Sequence, residues 1–163
     1  VKRFGRESLW QDAVALFSER VQQADVVLWG ATTDACAKGM QWEAALSLLV
    51  AAERFAVGPS IMSYSAAIAA CGSARGWPHA LALLRRLEDV SLRPNRIIVN
   101  ATISAFGKGQ QWAKALWHLG AMRERLLRPD VVTFNASIGA CEKGGRWTLA
   151  LELVQCSRRC GVG

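Results

Sequence analysis

Short polar residues recur at fixed points of this sequence, on either side of an apolar stretch. The segments RPNRIIVN (residues 93–100) and RPDVVTFN (residues 128–135) each place an Asn or Asp directly after a proline and an Asn five residues later. Amide and carboxylate groups donate and accept hydrogen bonds, so at regular spacing they could bind the polar edges of a series of ligand groups. They could equally cap helices and form turns.

Catalytic and metal-binding patterns are missing from the sequence. His79 and His118 are isolated, and neither belongs to a His/Cys/Glu cluster, a Gly-rich phosphate loop or an acidic metal site. Cys156 and Cys160 lie four residues apart and could share a helical face, but no histidine is near them, which favours ordinary packing. We therefore predict no enzymatic activity, no catalytic residue, no metal, no cofactor and no small-molecule substrate.

The composition favours a polyanionic partner. The 163 residues carry a net charge of +7 and have a pI near 9.7, which suits nucleic acid first and an acidic membrane surface second. No apolar run approaches the roughly 18 residues of a membrane span, so no span is expected, and nucleic acid is preferred to a membrane as the partner. The five cysteines form no secreted-type framework, and Cys36, Cys71 and Cys141, which follow the repeat period described below, are expected to be buried free thiols in a reducing compartment.

The polar residues belong to an internal repeat. Tryptophan recurs every 35 residues, at Trp42, Trp77, Trp112 and Trp147, and alanine, leucine and proline columns follow the same period. The predicted units are residues 26–60, 61–95, 96–130 and 131–163, the last of them incomplete. Residues 1–25 resemble a degenerate partial repeat, and the chain is expected to be a segment of a longer array.

Each unit is predicted to contain two helices. Apolar residues at helical spacing, such as Val99, Ile103 and Phe106, mark a first helix, and a second begins near the tryptophan. Gly109, like Gly39 and Gly144 in the same column, is expected to end the first helix with a positive φ. A lone helical hairpin cannot bury both faces, so the Ala and Trp columns should pack neighbouring repeats together. The predicted fold is an all-α solenoid.

The 35-residue period, the Pro-Asn or Pro-Asp ending and the VVTFN opening of the last unit resemble the pentatricopeptide repeat family. The resemblance covers residues 26–163 and, more weakly, 1–25, and it implies a right-handed α-solenoid of helix-turn-helix repeats. The alternative is a protein-protein interaction scaffold of tetratricopeptide type, whose period is 34 and whose first helix carries Gly-x-x-Tyr. That signature occurs in no first helix of this sequence.

The resemblance implies single-stranded RNA binding, with one base read per repeat by its fifth and last residues. Those positions hold Gly30 and Ser60, Ser65 and Asn95, Asn100 and Asp130, and Asn135, whose partner position lies beyond the sequence. In this family the Ser–Asn pair favours adenine, the Asn–Asp pair favours uracil, and Asn alone accompanies pyrimidines. The expected preference is 5′-N-A-U-Y-3′, in which glycine makes the first repeat unselective. Capping and turn formation remain the alternative role for these side chains.

Two further columns acquire roles from the same resemblance. The second position is always aliphatic and would sandwich bases, unless it belongs to the core; it holds Val27, Met62, Ile97 and Val132. The thirteenth position would contact phosphates at Lys38, Lys108 and Lys143, although a solvated helix end also explains a lysine there. The family further implies a mitochondrial or plastid factor in RNA processing, stability, editing or translation, with RNA-processing enzymes or other proteins of the same pathway as further partners.

Overall fold

The computed structural model describes residues 26–39, 41–54, 60–72 and 76–162, and only the backbone of residues 26–29, 37, 38, 53 and 54. The partial repeat expected at 1–25 lies outside the described residues. Within them the chain forms helices and no strand. The first helices of the repeats are α1 (Val26–Lys38), α3 (Ile61–Ala70), α5 (Arg96–Lys108) and α7 (Val131–Lys143). The second helices are α2 (Trp42–Arg54), α4 (Trp77–Asp89), α6 (Trp112–Glu124) and α8 (Trp147–Arg159).

The last residue of each complete unit starts the first helix of the next unit. Ser60, Asn95 and Asp130 have extended backbone conformations, and each side chain accepts a hydrogen bond from the backbone N–H three residues later. These bonds satisfy donors that the first turn of a helix leaves unpaired. The capping role expected as an alternative is therefore present at all three positions, and any ligand contact by these residues must coexist with it.

The helices form two layers. Each first helix packs on the first helix of the next repeat, and each second helix α2, α4 and α6 contacts the first helices of its own and the following repeat. Small residues bring the first helices close: a Cβ added to Gly107 would lie 3.2 Å from Ala140 Cα. Val99, Ile103 and Phe106 are buried between the layers, as their spacing predicts. The prediction of an all-α repeat solenoid is confirmed; its right-handedness stays a prediction.

The tryptophan column packs neighbouring repeats together and explains the glycines at positions 109 and 144. The expectation of a positive φ at Gly109 and Gly144 is wrong, because their φ values are −86° and −83°. A Cβ on Gly109 would overlap the Trp77 ring, and one on Gly144 would overlap Trp112. Glycine is therefore needed for the close approach of the preceding repeat's indole, and not for an unusual backbone conformation.

A titratable side chain, His118, is buried in the layer of second helices. His118 is 5% exposed and stacks on Phe106, with ring centroids 5.2 Å apart. Burial, and secondarily the positive charge of Arg125, lowers the pKa of His118 to about 4, so the imidazole is neutral at physiological pH. Arg125 in turn forms an ion pair with Glu88, at 2.6 Å between Nη2 and Oε1.

The cysteines among the described residues are all free thiols. Cys36, Cys71 and Cys141 are fully buried, and burial, followed by the nearby Glu43 charge, raises the pKa of Cys71 to about 11. No helix in the described ranges is long and apolar enough to cross a membrane. The same ranges contain no group of three or more His, Cys, Asp or Glu residues that could hold a metal ion.

Candidate nucleic-acid interface

The fifth and last positions of the third repeat meet in space. Asn100 lies in the second turn of α5 and Asp130 caps α7, thirty residues later, yet Asn100 Nδ2 donates to Asp130 Oδ1 at 3.2 Å. The contact forms because α5 and α7 pack side by side with their N-termini at the same edge of the solenoid. Both side chains are half-buried, so each keeps part of its polar surface open to solvent.

Thr133 completes this polar cluster from the fourth repeat. Its Oγ1 lies 2.7 Å from Asn100 Oδ1, to which it can donate, and 2.8 Å from Asp130 Oδ1. The backbone N–H of Asp130 donates to the same hydroxyl at 3.1 Å, and the Thr133 N–H donates to Asp130 Oδ1 at 2.9 Å. Asp130 and Thr133 thus form a reciprocal capping box that is joined to Asn100.

The second carboxylate oxygen of Asp130 is held by Arg96. The Arg96 Nε atom lies 3.0 Å from Asp130 Oδ2, and both side chains are partly exposed. Partial burial alone would raise the pKa of Asp130, but the Thr133 and Asn100 hydrogen bonds and the Arg96 charge outweigh it and hold the pKa below 3.8. Asp130 is therefore ionised at neutral pH and can only accept hydrogen bonds.

Aliphatic side chains flank the polar cluster and face solvent. Ile97 is 66% exposed and Val132 is 59% exposed, and with Asn100 and Asp130 between them they line an open groove of about 700 Å³. Met62 occupies the same position in the second repeat and is 78% exposed. These three residues are not core residues, so the core alternative for the second-position column is wrong where its side chains are described. We call this groove the Asn100 groove; its lining is Arg96, Ile97, Asn100, Ala101, Ser104, Asp130, Val132, Asn135 and Ala136.

The other predicted base-reading residues differ in their surroundings. Ser65 and Asn95 are both half-buried, but no hydrogen bond joins them in the described part of the chain, and Asn95 Oδ1 accepts from the Ile98 N–H at 3.0 Å. A Cβ on Gly30 would meet no atom within 4 Å, so packing does not demand glycine there. Asn135 is exposed and lies at the wall of the Asn100 groove.

The predicted phosphate-binding lysines lie at the opposite ends of the first helices. Lys108 and Lys143 are exposed in the last turns of α5 and α7, eight residues and about 12 Å from the fifth position. Lys108 Nζ would lie 3.4 Å from a Cβ on Gly72, so the ammonium group reaches the end of the preceding repeat's first helix. The side chains of Val27 and Lys38 lie outside the described residues.

Comparison with known proteins identifies the repeats. The Pentatricopeptide repeat domain model matches residues 47–109, and the PPR repeat model matches residues 132–162, which together exceed half of the chain. The chain belongs to the pentatricopeptide repeat family. No curated protein sequence matches it.

Solved pentatricopeptide repeat structures share the fold. The protein PPR10 in complex with an 18-nt psaJ RNA element superimposes with a TM-score of 0.84 at 24% identity, over 99% of this chain and 24% of that one. PPR10 from maize gives a TM-score of 0.76 at 26% identity, over 94% of this chain and 22% of that one. The chain spans about a quarter of the length of these pentatricopeptide repeat proteins.

Sequence reasoning missed Arg96 and Thr133 as neighbours of the Asn100–Asp130 pair. The first position of the other pentatricopeptide repeats is Val26, Ile61 or Val131, so Arg96 departs from an otherwise aliphatic column. The third position likewise varies between apolar and hydroxyl side chains. A search for departures from the repeat pattern, in addition to agreements with it, would have drawn attention to Arg96.

Proposed function

We propose that this chain is a sequence-specific single-stranded RNA-binding module in which each repeat reads one base. The observation that carries the proposal is the Asn100–Asp130 contact, at 3.2 Å, inside a groove with exposed aliphatic walls. A hydrogen-bonding pair between Ile97 and Val132 suits a flat ligand with a polar edge, which describes a nucleobase. The solved RNA complex of PPR10 supports the same class of ligand.

The aliphatic walls supply affinity that does not depend on base identity. Ile97 and Val132 each expose more than half of their surface, so a base inserted between them would remove apolar area from water on both faces. Contacts of this kind are expected to be worth roughly 1–3 kcal/mol per base by analogy with aromatic stacking. Discrimination between bases then falls to the polar residues at the edge of the groove.

The proposed preference is 5′-N-A-U-Y-3′, with the repeats bounded at 26–60, 61–95, 96–130 and 131–163. Ser65 and Asn95 are assigned to adenine and Asn100 with Asp130 to uracil, while Asn135 is assigned to a pyrimidine. Gly30 offers no side chain to pair with Ser60, so its repeat is assigned as a spacer or as weakly selective.

Phosphate contacts are assigned to Lys38, Lys108 and Lys143. Their recurrence at the ends of first helices places positive charge along one edge of the array, where an RNA backbone would run past successive grooves. Three neutralised phosphates on a single strand predict a salt slope of about −2 in log affinity against log salt. Affinity should therefore fall roughly twentyfold between about 50 mM and about 200 mM salt.

The cellular role that we propose follows from family membership. We place the chain in an organellar factor for RNA processing, stability, editing or translation, in a mitochondrion or plastid, where RNA-processing enzymes or other proteins of the pathway would act on the bound RNA. The chain itself is proposed to bind RNA without catalysing a reaction.

Fluorescence anisotropy with labelled single-stranded RNA tests the proposal. A few bases at roughly 1–3 kcal/mol each place the affinity in the micromolar range, so the titration must extend well above that concentration. RNAs that contain A-U-pyrimidine should bind more tightly than their permutations, and binding should weaken with salt. If no single-stranded RNA binds at low salt, RNA binding is excluded and the protein-scaffold alternative becomes the better explanation.

A further inference from the structure

The Asn100 amide has chemically different partners at its two ends. Its NH₂ group donates to Asp130 Oδ1 at 3.2 Å, and its carbonyl oxygen accepts from Thr133 Oγ1 at 2.7 Å. Rotating the amide by half a turn would place its oxygen against an ionised carboxylate, which has no proton to donate. The Asp130 carboxylate therefore sets the orientation of the amide, and the Thr133 hydroxyl stabilises that orientation by donating to the amide oxygen.

The orientation of the Asn100 amide determines whether uracil or cytosine can form hydrogen bonds with both its nitrogen and its oxygen. Uracil presents a carbonyl oxygen at C4 and an N3–H donor, whereas cytosine presents an amino donor at C4 and an acceptor at N3. A side-chain amide carries one donor and one acceptor, so it can pair with either edge, but with its nitrogen and oxygen exchanged. A freely rotating Asn would therefore accept both pyrimidines, and a fixed one discriminates between them.

We propose that Thr133 is a specificity-determining residue of the third repeat, because its hydroxyl stabilises the Asn100 amide in the orientation that Asp130 sets and that selects uracil over cytosine. The inference rests on the RNA-binding function proposed above. Thr133 is fully buried, so it acts through Asn100 as a positioning residue, although it belongs to the following repeat.

The hydroxyl that takes part in the capping box also contacts Asn100, and this second contact is not required for capping. At the preceding junction Asn95 caps α5 through the Ile98 N–H at 3.0 Å, and Ile98 carries no hydroxyl, so a cap of this kind does not need one. At the junction between the first and second repeats, Ser63 Oγ lies 3.2 Å from Oγ of the cap residue Ser60. In the described repeats, a hydroxyl hydrogen-bonded to a fifth-position side chain is found at Thr133.

Arg96 strengthens the arrangement from the other side of Asp130. Its Nε atom holds Oδ2 at 3.0 Å, while Oδ1 accepts from the Thr133 N–H and from Asn100. The carboxylate is thereby prevented from rotating away from the amide. The orientation of Asn100 thus depends on groups from both repeats that border the groove.

Thr133→Val is the decisive variant, since it removes the hydroxyl and nearly preserves the volume. Dissociation constants are measured for two single-stranded RNAs that differ only by uracil or cytosine at the base assigned to the third repeat. The variant loses the hydrogen bond to the Asn100 oxygen together with the hydroxyl's contacts to Asp130. The loss of the Asn100 bond alone should lower the uracil-to-cytosine preference about fivefold. Thr133→Ser, which keeps the hydroxyl, should retain the wild-type preference.

Thr102→Val is the matched control. Thr102 is also fully buried in a first helix, and its hydroxyl donates to the Ile98 carbonyl at 2.9 Å, away from Asn100. The substitution removes a buried hydroxyl hydrogen bond but should leave the ratio of the two dissociation constants unchanged. If Thr133→Val does not fold, Thr133→Ala removes the same hydroxyl and is measured in its place.

The possible results distinguish a failure of the role proposed for Thr133 from a failure of the proposed RNA-binding function. A wild-type protein that binds RNA and prefers uracil, with the preference unchanged in Thr133→Val, would overturn the role of Thr133 and leave RNA binding intact. RNA binding without any uracil preference in the wild type would overturn it as well. A wild-type protein that binds neither RNA would overturn the proposed function together with this inference.

Discussion

Alanine at position 109 is expected to destabilise the protein, although the backbone there accepts any residue. Gly109 has a φ of −86°, and at such a position alanine normally stabilises a protein by about 0.4–1 kcal/mol because it restricts the unfolded chain. Here a Cβ would overlap the Trp77 ring, which also carries Lys114 Nζ at 3.7 Å from its centroid. Overpacking costs about 1–3 kcal/mol, so we expect a net loss of about 1–2 kcal/mol in the free energy of unfolding.

Gly120→Ala is the matched control for this prediction. Gly120 is exposed within α6, and a Cβ there would meet no atom within 4 Å, so alanine should stabilise the protein by about 0.5–1 kcal/mol. Urea unfolding followed by far-ultraviolet circular dichroism measures both variants. The free energy of unfolding is expected to decrease in Gly109→Ala and to increase in Gly120→Ala. Gly109→Ala with wild-type or greater stability would show that Trp77 does not occupy the space beside Gly109.

Three further predictions concern pH, specificity and charge. The pKa of His118 is about 6.5 in the unfolded chain and about 4 in the folded protein. The free energy of unfolding should therefore be highest above pH 6.5 and should fall by up to about 3 kcal/mol as the pH is lowered to 4. Chemical unfolding should show a smaller decrease in His118→Gln. Gly30→Asn should give the first repeat a pyrimidine preference in single-base RNA titrations, because it introduces the fifth-position Asn where a Cβ would meet no atom within 4 Å; equal affinity for all four bases would contradict this. Replacing Lys108 and Lys143 together by alanine should reduce the salt slope of RNA binding by about 1.4, and an unchanged slope would exclude them as phosphate ligands.

The solenoid could be predicted from the sequence because the same residue types recur every 35 residues. Four tryptophans at a fixed spacing indicate a stacked unit, and helices α2, α4, α6 and α8 each begin at one of them. The φ at Gly109 was predicted wrongly because glycine at a helix end most often serves a left-handed turn. The sequence does not reveal that the indole of Trp77, 32 residues before Gly109, fills the space beside Gly109.

The candidate site could be predicted only in part. The resemblance to pentatricopeptide repeats pairs Asn100 with Asp130, and their side chains are in contact. It left open whether Ile97 and Val132 belong to the core or to a groove, since an aliphatic residue at a helix start suits both, and only their exposure decides. Thr133 could not be linked to Asn100, because this contact between two repeats depends on how α7 lies against α5.

Asn100→Ser tests the central claim most directly, because it changes one fifth-position residue and keeps Asp130 as its partner. The affinity of the variant is measured for four RNAs that differ only at the base assigned to the third repeat. The account predicts that the preference moves from uracil toward guanine at that base and remains unchanged at its neighbours. A preference that stays at uracil, or that changes at a neighbouring base instead, would contradict the assignment of one base to each repeat in this register.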